Sequence, residues 1–417
     1  MHLLKNINKF TITLLIFILN GISFQIYAQS AKPANDVLGR MGGNVISTGV
    51  PFLLIAPDTR IGGMGETGVA VENDINAQHW NPAKYIYSPN NFGFSVSYSP
   101  WLAGLNVNDI YLLYLAAYGK VTDKDGLSGS LRYFSMGSME IRNEEGDLIT
   151  DYKPHEFAFD LAYERQLIPD LSMAVTGRFI FSDLSTSTTR ESKPGLAGAA
   201  DISLFYHKKL RANKLNFSQI AFGLNISNIG NKISYSSSMA RDFLPANFRT
   251  GIAYTMKIDP YNQFIFAIDF NKLLVTTPPI YKTDENGAIV YDEVTGEPII
   301  EKGRNPKTTT AASAVFTSWF DAPTGFVEEL HEYIVNLGIE YSYNNLLFVR
   351  TGYFNESQYK GRRKYMTFGI GIKYSVFSID AAYILPLNSR NHPLQNTLRF
   401  SISFDFNKNG NKVAKRN

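Results

Sequence analysis

The sequence predicts an all-β protein: a transmembrane antiparallel β-barrel of about 14 strands behind an N-terminal hatch segment. Three observations point there. Segments of alternating polarity recur along most of the chain, their connections alternate between long and short, and the N-terminus is built like an export signal.

Taking the chain in order, Lys5 and Lys9 precede the apolar run Ile12 to Phe24, followed by Tyr27-Ala28-Gln29-Ser30. That is the charged, apolar and small-residue order of a secretory signal peptide, so residues 1–28 are expected to be cleaved after Ala28. A membrane-anchoring helix is the competing reading. Asn20 and Gly21 interrupt the run, which falls short of the roughly twenty clean apolar residues a spanning helix needs. An exported chain of this kind is periplasmic, secreted or an outer-membrane barrel.

Residues 29–90 form the expected hatch. They contain Gly63-x-Gly65-x-x-Gly68, the spacing of a dinucleotide-binding loop, after the apolar run Pro51 to Ala56. A nucleotide loop needs a βαβ unit and an acidic residue about twenty positions on. Positions 83–88 carry no carboxylate, and a barrel strand follows, so the match fails its context. The local reading is a compact plug in which Gly62, Gly63 and Gly65 permit tight turns. Asp74 is expected to cap a short helix through Trp80, which Asn81-Pro82 ends.

Residues 91–406 carry the barrel. In LRFSISFDF, Leu398, Phe400, Ile402, Phe404 and Phe406 share one face, with Arg399, Ser401, Ser403 and Asp405 on the other. Phe92 to Tyr98 alternates in the same way. Twelve further segments begin near Ile110, Gly129, Glu156, Ser172, Ala200, Gln219, Asn247, Gln263, Tyr333, Leu346, Lys364 and Val376. The long links include Met136 to His155, Ser182 to Gly198, Asn228 to Ala246 and Lys272 to Glu332; Arg165 to Asp170 and Tyr343 to Asn345 are tight. Bacterial outer-membrane barrels have short periplasmic turns and longer external loops, whereas a soluble sandwich has no reason to sort its loops by parity.

With the aromatic faces turned to lipid, Arg132, Arg178, Arg249, Arg350, Lys373 and Arg399 point into the lumen, as do Asp160, Asp201, Asp269, Glu340, Asp380 and Asp405. The balance of signs predicts mutual pairing across a partly filled interior. A transport path is the sharper alternative.

The loop 272–332 holds about 60 residues, a length usually functional or disordered. A hairpin is expected around Thr295-Gly296. Phe316, Trp319 and Phe320 fall at helical spacing; they and Trp101 are candidate partner contacts, against a plainer reading as interfacial or rim-packing aromatics. Residues 407–417 form a short basic tail. A net charge of +3 on so long a chain gives no footprint for nucleic acid, and the lack of cysteine excludes disulfides, thiolate metal sites and a Cys nucleophile. His79, His155, His207, His331 and His392 sit in no catalytic or metal-binding spacing, and no G-x-S-x-G elbow occurs, so neither an enzyme nor a cofactor is expected.

Arg60-Ile61-Gly62-Gly63-Met64-Gly65, Ala70, Asp74 and Trp80-Asn81-Pro82-Ala83 together resemble the N-terminal region of FadL-type outer-membrane proteins, which have fourteen strands and an N-terminal hatch. Pro51 to Asp58, Gln78 to Lys84 and Ser318 to Leu330 make the chain more similar to the PorV (LptO) family of the type IX secretion system. The resemblance implies a non-enzymatic protein of the Gram-negative outer membrane that acts as a shuttle and adaptor. Its implied partners are a very large translocon barrel (Sov/SprA type), cargo proteins with C-terminal secretion signals, a surface attachment protein (PorU type) and outer-membrane lipid. A FadL-like channel for hydrophobic solutes is the alternative, and a lipid A deacylase a more distant one.

Overall fold

The computed structural model describes residues 44–101, 109–142, 146–184, 193–212, 217–236, 241–387 and 397–407. The expected signal peptide and nearly all of the basic tail lie outside them. Fourteen antiparallel strands close into one barrel. They are β1 (Phe92–Pro100), β2 (Ile110–Lys120), β3 (Asp125–Met136), β4 (His155–Ile168), β5 (Leu171–Asp183), β6 (Gly195–Ala212) and β7 (Phe217–Gly230). The second half comprises β8 (Asn247–Lys257), β9 (Asn262–Leu273), β10 (Ile334–Tyr343), β11 (Leu347–Asn355), β12 (Lys364–Tyr374), β13 (Phe377–Pro386) and β14 (Leu398–Phe406). Each strand pairs with its neighbours in sequence, and β1 closes on β14 with Phe94 opposite Phe404 and Val96 opposite Ile402. Closure leaves no unpaired edge for lipid to meet.

Alternation sets what each face carries. Phe94, Val96, Phe400 and Ile402 are exposed on the outer wall, while Ser95, Ser97, Arg399 and Ser401 are buried inside. Short turns join β4 to β5, β10 to β11 and β12 to β13; in the last two Asn344, Asn345 and Ser375 adopt positive φ, which suits the right-handed twist of the flanking strands. The opposite ends of the strands carry the long connections, 137–154, 231–246 and 274–333 among them. Several strands start earlier than their apolar alternation does, Gly195 against Ala200 and Asp125 against Gly129, because pairing continues past the lipid-facing band into the rims.

The hatch runs down the lumen in short pieces: a 3-10 turn at Pro51–Leu54, α1 (Thr59–Gly62), α2 (Ala77–Trp80) and a 3-10 turn at Pro82–Tyr87. Asp58 caps α1, accepting from Ile61 N at 2.9 Å. Asp74 does not cap α2, contrary to the sequence reading. Its Oδ1 accepts from Asn76 N at 2.8 Å and its Oδ2 from Arg60 at 3.1 Å, so the carboxylate is used in a local turn and an ion pair. Asn81 then takes an extended φ of −171° and ends the helix. Ile61, Met64, Val69, Ala70 and Trp80 form a fully buried core that the barrel wall completes through Ala253, Ile265 and Ala267. In the external loop, α3 (Ala311–Thr317) and α4 (Phe326–His331) follow a ribbon in which Tyr291 bridges Pro298 around the expected Thr295-Gly296 turn.

Candidate functional site

Two places concentrate unusual chemistry: the seam between hatch and wall, and the outer rim under the long loop. At the seam, glycine serves close approach more than turning. Only Gly65 among the four motif residues Gly62, Gly63, Met64 and Gly65 has positive φ, at +68°. A Cβ there would stand 2.6 Å from the Leu337 carbonyl oxygen of β10. Gly63 lies against Gly369 of β12, with a Cβ 3.0 Å from its Cα, and Gly62 lies against the Arg399 side chain. Wall glycines answer them. A Cβ on Gly338 would fall 2.6 Å from the Met64 carbonyl oxygen, and one on Gly223 would meet the Val69 carbonyl. The hatch backbone is thus pressed onto wall backbone along β7 and β10 to β12.

Polar groups complete the seam. Asp269 Oδ2 accepts from Gly68 N at 2.7 Å and Val69 N at 2.9 Å. Trp80 Nε1 donates to Asp58 at 2.5 Å, and Asn81 Nδ2 donates to Val69 O at 3.0 Å and Leu204 O at 2.9 Å. Pro82 is buried at the start of the second 3-10 turn.

The lumen charges divide into two groups. Arg178 binds Asp160 at 2.6 Å and Asp201 at 2.8 Å; Arg350 binds Glu340 at 2.6 Å and Asp380 at 2.5 Å; Lys373 approaches Asp405 at 3.6 Å. These pair along the wall between adjacent or next-but-one strands, Asp160 opposite Arg178 and Glu340 opposite Arg350, and not across the interior as the sequence reading expected. Arg132, Arg249 and Arg399 do not pair in this way. Arg132 donates to Leu53 O at 2.7 Å, Arg249 donates to Asn271 at 2.5 Å and sits 4.5 Å above the Trp80 ring, and Arg399 reaches Glu66 at 3.4 Å. Pairing within the wall was therefore only part of the answer. The remaining charges, Asp269 included, hold the hatch, and Glu340 does both, since hatch residue Arg60 binds it at 2.8 Å.

At the outer rim, Lys272 is fully buried between Glu329 and Glu332, at 2.6 Å from each. Lys360, in the turn between β11 and β12, bridges Glu328 and Glu332 at 2.8 Å. Asn44 donates to Glu328 at 2.8 Å, and Thr277 O–H donates to Asp321 at 3.1 Å. Burial pushes the Asp321 carboxyl up to about 6. Burial also acts on Glu328, but its bonds from Lys360, Thr324 and Asn44 outweigh it and hold it down at about 2. Lys272 pairs in register with Phe248; alternation with inward Arg249 and Asn271 puts both on the outer face. Trp319 packs edge-on against Phe248 at 5.1 Å, so the loop folds over the rim onto the outer face at the end of β8.

α4 is inverted relative to an ordinary surface helix. Its carboxylates Glu328 and Glu329 are buried while Phe326, Val327 and Leu330 are exposed. Phe316 and Phe320 are 77% and 89% exposed, whereas Trp319 is turned back onto the rim. Trp101 lies apart from them, packed against Phe354, Tyr365 and Ile384 inside the mouth. Sequence reasoning missed the Lys272, Lys360 and glutamate cluster. The usable signal was Phe326-Val-Glu-Glu-Leu330, whose acids and apolar residues share a single short helix.

A closed fourteen-stranded barrel with lipid-compatible outer faces and a hatch in its lumen is the architecture of an outer-membrane protein. Among solved structures it is similar to the Pseudomonas putida toluene transporter TodX (12% identity, 84% of this chain and 98% of that one, TM-score 0.47) and a Pseudomonas aeruginosa FadL homologue (10%, 88% and 100%, 0.42). LpxR from Salmonella typhimurium is more remote (7%, 75% and 100%, 0.30). No curated protein sequence matches it. The family model described as "Type IX secretion system protein PorV" matches residues 40–280, more than half of the chain, and the protein belongs to that family. The match contains the hatch; Ser318 to Leu330 lies beyond it.

Proposed function

We propose that this protein is a non-enzymatic shuttle and adaptor of the type IX secretion system, binding the translocon barrel and the C-terminal signal of cargo and delivering cargo to the attachment complex. The observation that carries this reading is the exposure of Phe316, Phe320, Phe326, Val327 and Leu330 on one loop that several buried ion pairs brace. Exposed apolar surface of this kind marks an interaction site. Because Trp319 seats the loop on outward-facing Phe248, the loop that carries them reaches the outer face of the barrel. A surface so placed suits side-on docking against another membrane-embedded wall, which is what a translocon barrel presents. The alternative, a channel for hydrophobic solutes, is opposed by a hatch whose backbone touches wall backbone across the lumen.

The test is photo-crosslinking from Phe316 and Phe320 in native outer membranes, with affinity purification of the adducts. A very large barrel protein and C-terminally tagged cargo are expected. Recovery of neither from the unaltered chain overturns the reading.

A further inference from the structure

Below the hatch, the lumen opens into a vestibule of about 990 Å³. The turns at Asn344–Leu346 and Tyr374–Ser375 line its mouth, so it faces the periplasm, and hatch residues Arg60 and Glu72 to Asn76 form its ceiling. We propose that this vestibule binds a neutral, polyhydroxylated ligand: a glycan chain presented from the periplasmic side. The inference stands apart from the secretion reading and rests on the cavity alone.

Charge is the first argument. Five Lys or Arg and five Asp or Glu side chains line the cavity, so its formal balance is zero. The central ones are engaged with each other. Arg60 holds Glu340 at 2.8 Å and Asp74 at 3.1 Å, Arg350 holds Glu340 and Asp380, and Lys373 approaches Asp405. An anionic ligand would have to compete with carboxylates already in place, and an acyl chain would strip water from these charges without replacing their bonds.

Hydrogen-bonding capacity is the second argument. Asn73 Oδ1 and His207 Nδ1 are buried without a hydrogen-bond partner among the described residues. Gln263 has only a 3.5 Å contact to Glu72, and Gln219, Ser378 and Ser403 add amide and hydroxyl groups from three strands. Amides and hydroxyls offer donors and acceptors together, which matches vicinal sugar hydroxyls better than any single-sign group. Phe348 and Tyr87 supply flat apolar surface for the C–H face of a pyranose ring. A volume near the upper end of ordinary ligand pockets accommodates several sugar units.

The experiment is calorimetric titration of the purified full chain, in a detergent with no sugar headgroup, with tetra-N-acetylchitotetraose and separately with maltotetraose. Saturable binding of at least one is expected, and the preferred one indicates whether an N-acetylated glycan is the source. Gln263→Ala and Ser403→Trp should each weaken binding about tenfold, with heat-modifiable electrophoretic mobility unchanged. Gln219→Ala serves if either variant fails to fold. No saturable binding of either oligosaccharide at millimolar concentration, or unchanged binding to the cavity-filled Ser403→Trp protein, overturns the proposal in favour of a vestibule that holds only water.

Discussion

Gly65 of the hatch and Gly352 of β11 meet backbone to backbone, and neither has room for a Cβ. A Cβ on Gly352 would overlap Gly65 N and Met64 C, and one on Gly65 would press 2.5 Å from Tyr353 N. Two chains approach this closely only where both lack side chains, and Gly65 additionally needs its φ of +68°.

Gly65→Ala and Gly352→Ala are therefore expected to loosen the hatch. Backbone strain alone is worth about 1–3 kcal/mol at Gly65, with steric overlap added. Gly177→Ala is the control, since nothing lies within 4 Å of its Cβ position. Thermal unfolding followed by heat-modifiable mobility should fall for the first two and not for the third. Equal behaviour of all three would show that the seam does not depend on the glycine contact.

Lys272→Met tests the rim cluster. It leaves Glu329 and Glu332 buried, with Glu329 deprived of its ion pair and Glu332 keeping Lys360 and the Thr277 hydroxyl. Breaking a buried pair from one side costs about 3–5 kcal/mol. The expected outcome is rapid proteolysis within residues 274–333 while the barrel core stays resistant. A loop as resistant as in the unaltered protein would contradict the bracing role.

The rim should also respond to pH, in a direction set by two groups. Asp321 is raised from 3.8 to about 6, so its stabilising contribution is complete below 3.8 and lost as pH rises through about 6. Glu328 is lowered from 4.5 to about 2, so its contribution is present above 4.5 and lost as pH falls through about 2. Loop attachment is therefore favoured most near pH 4.5, where the Glu328 contribution is intact and most of the Asp321 contribution is still present, and it weakens as pH rises through about 6. Protection factors in 274–333, with the intrinsic pH dependence of exchange divided out, should rise on acidifying from neutral to about pH 4.5, and Asp321→Asn should flatten the response; an unaltered slope in the variant would remove Asp321 from the account.

Phe316→Ser with Phe320→Ser alters exposed side chains only, so stability should change by no more than about 0.5 kcal/mol. Co-purification of the translocon barrel should drop severalfold and cargo should accumulate in the periplasm. Intact co-purification would place the translocon contact elsewhere.

Much of the fold was legible in the chain because a barrel strand must alternate along its whole length. Leu398 to Phe406 declares both faces, and the inward parity of Arg178, Arg350 and Asp160 follows from the same period of two. The hatch was legible as a segment but not as a structure. Asp74 looks like the cap of α2 in sequence, and only the position of Arg60 beside it shows that its carboxylate is used in an ion pair instead. The wall glycines Gly338 and Gly352 carried no signal, since a strand glycine looks the same whether or not another backbone lies against it.

By itself the sequence determined the strands, their inward and outward faces, the sorting of the loops and the family. Tertiary structure alone decided which charges pair along the wall, which reach the hatch, and which aromatics remain uncovered. The reason is one of range. Alternation is a local property of each strand, whereas Lys272 meets Glu332, and Gly65 meets Gly352, only after closure brings together residues 60 and more positions apart.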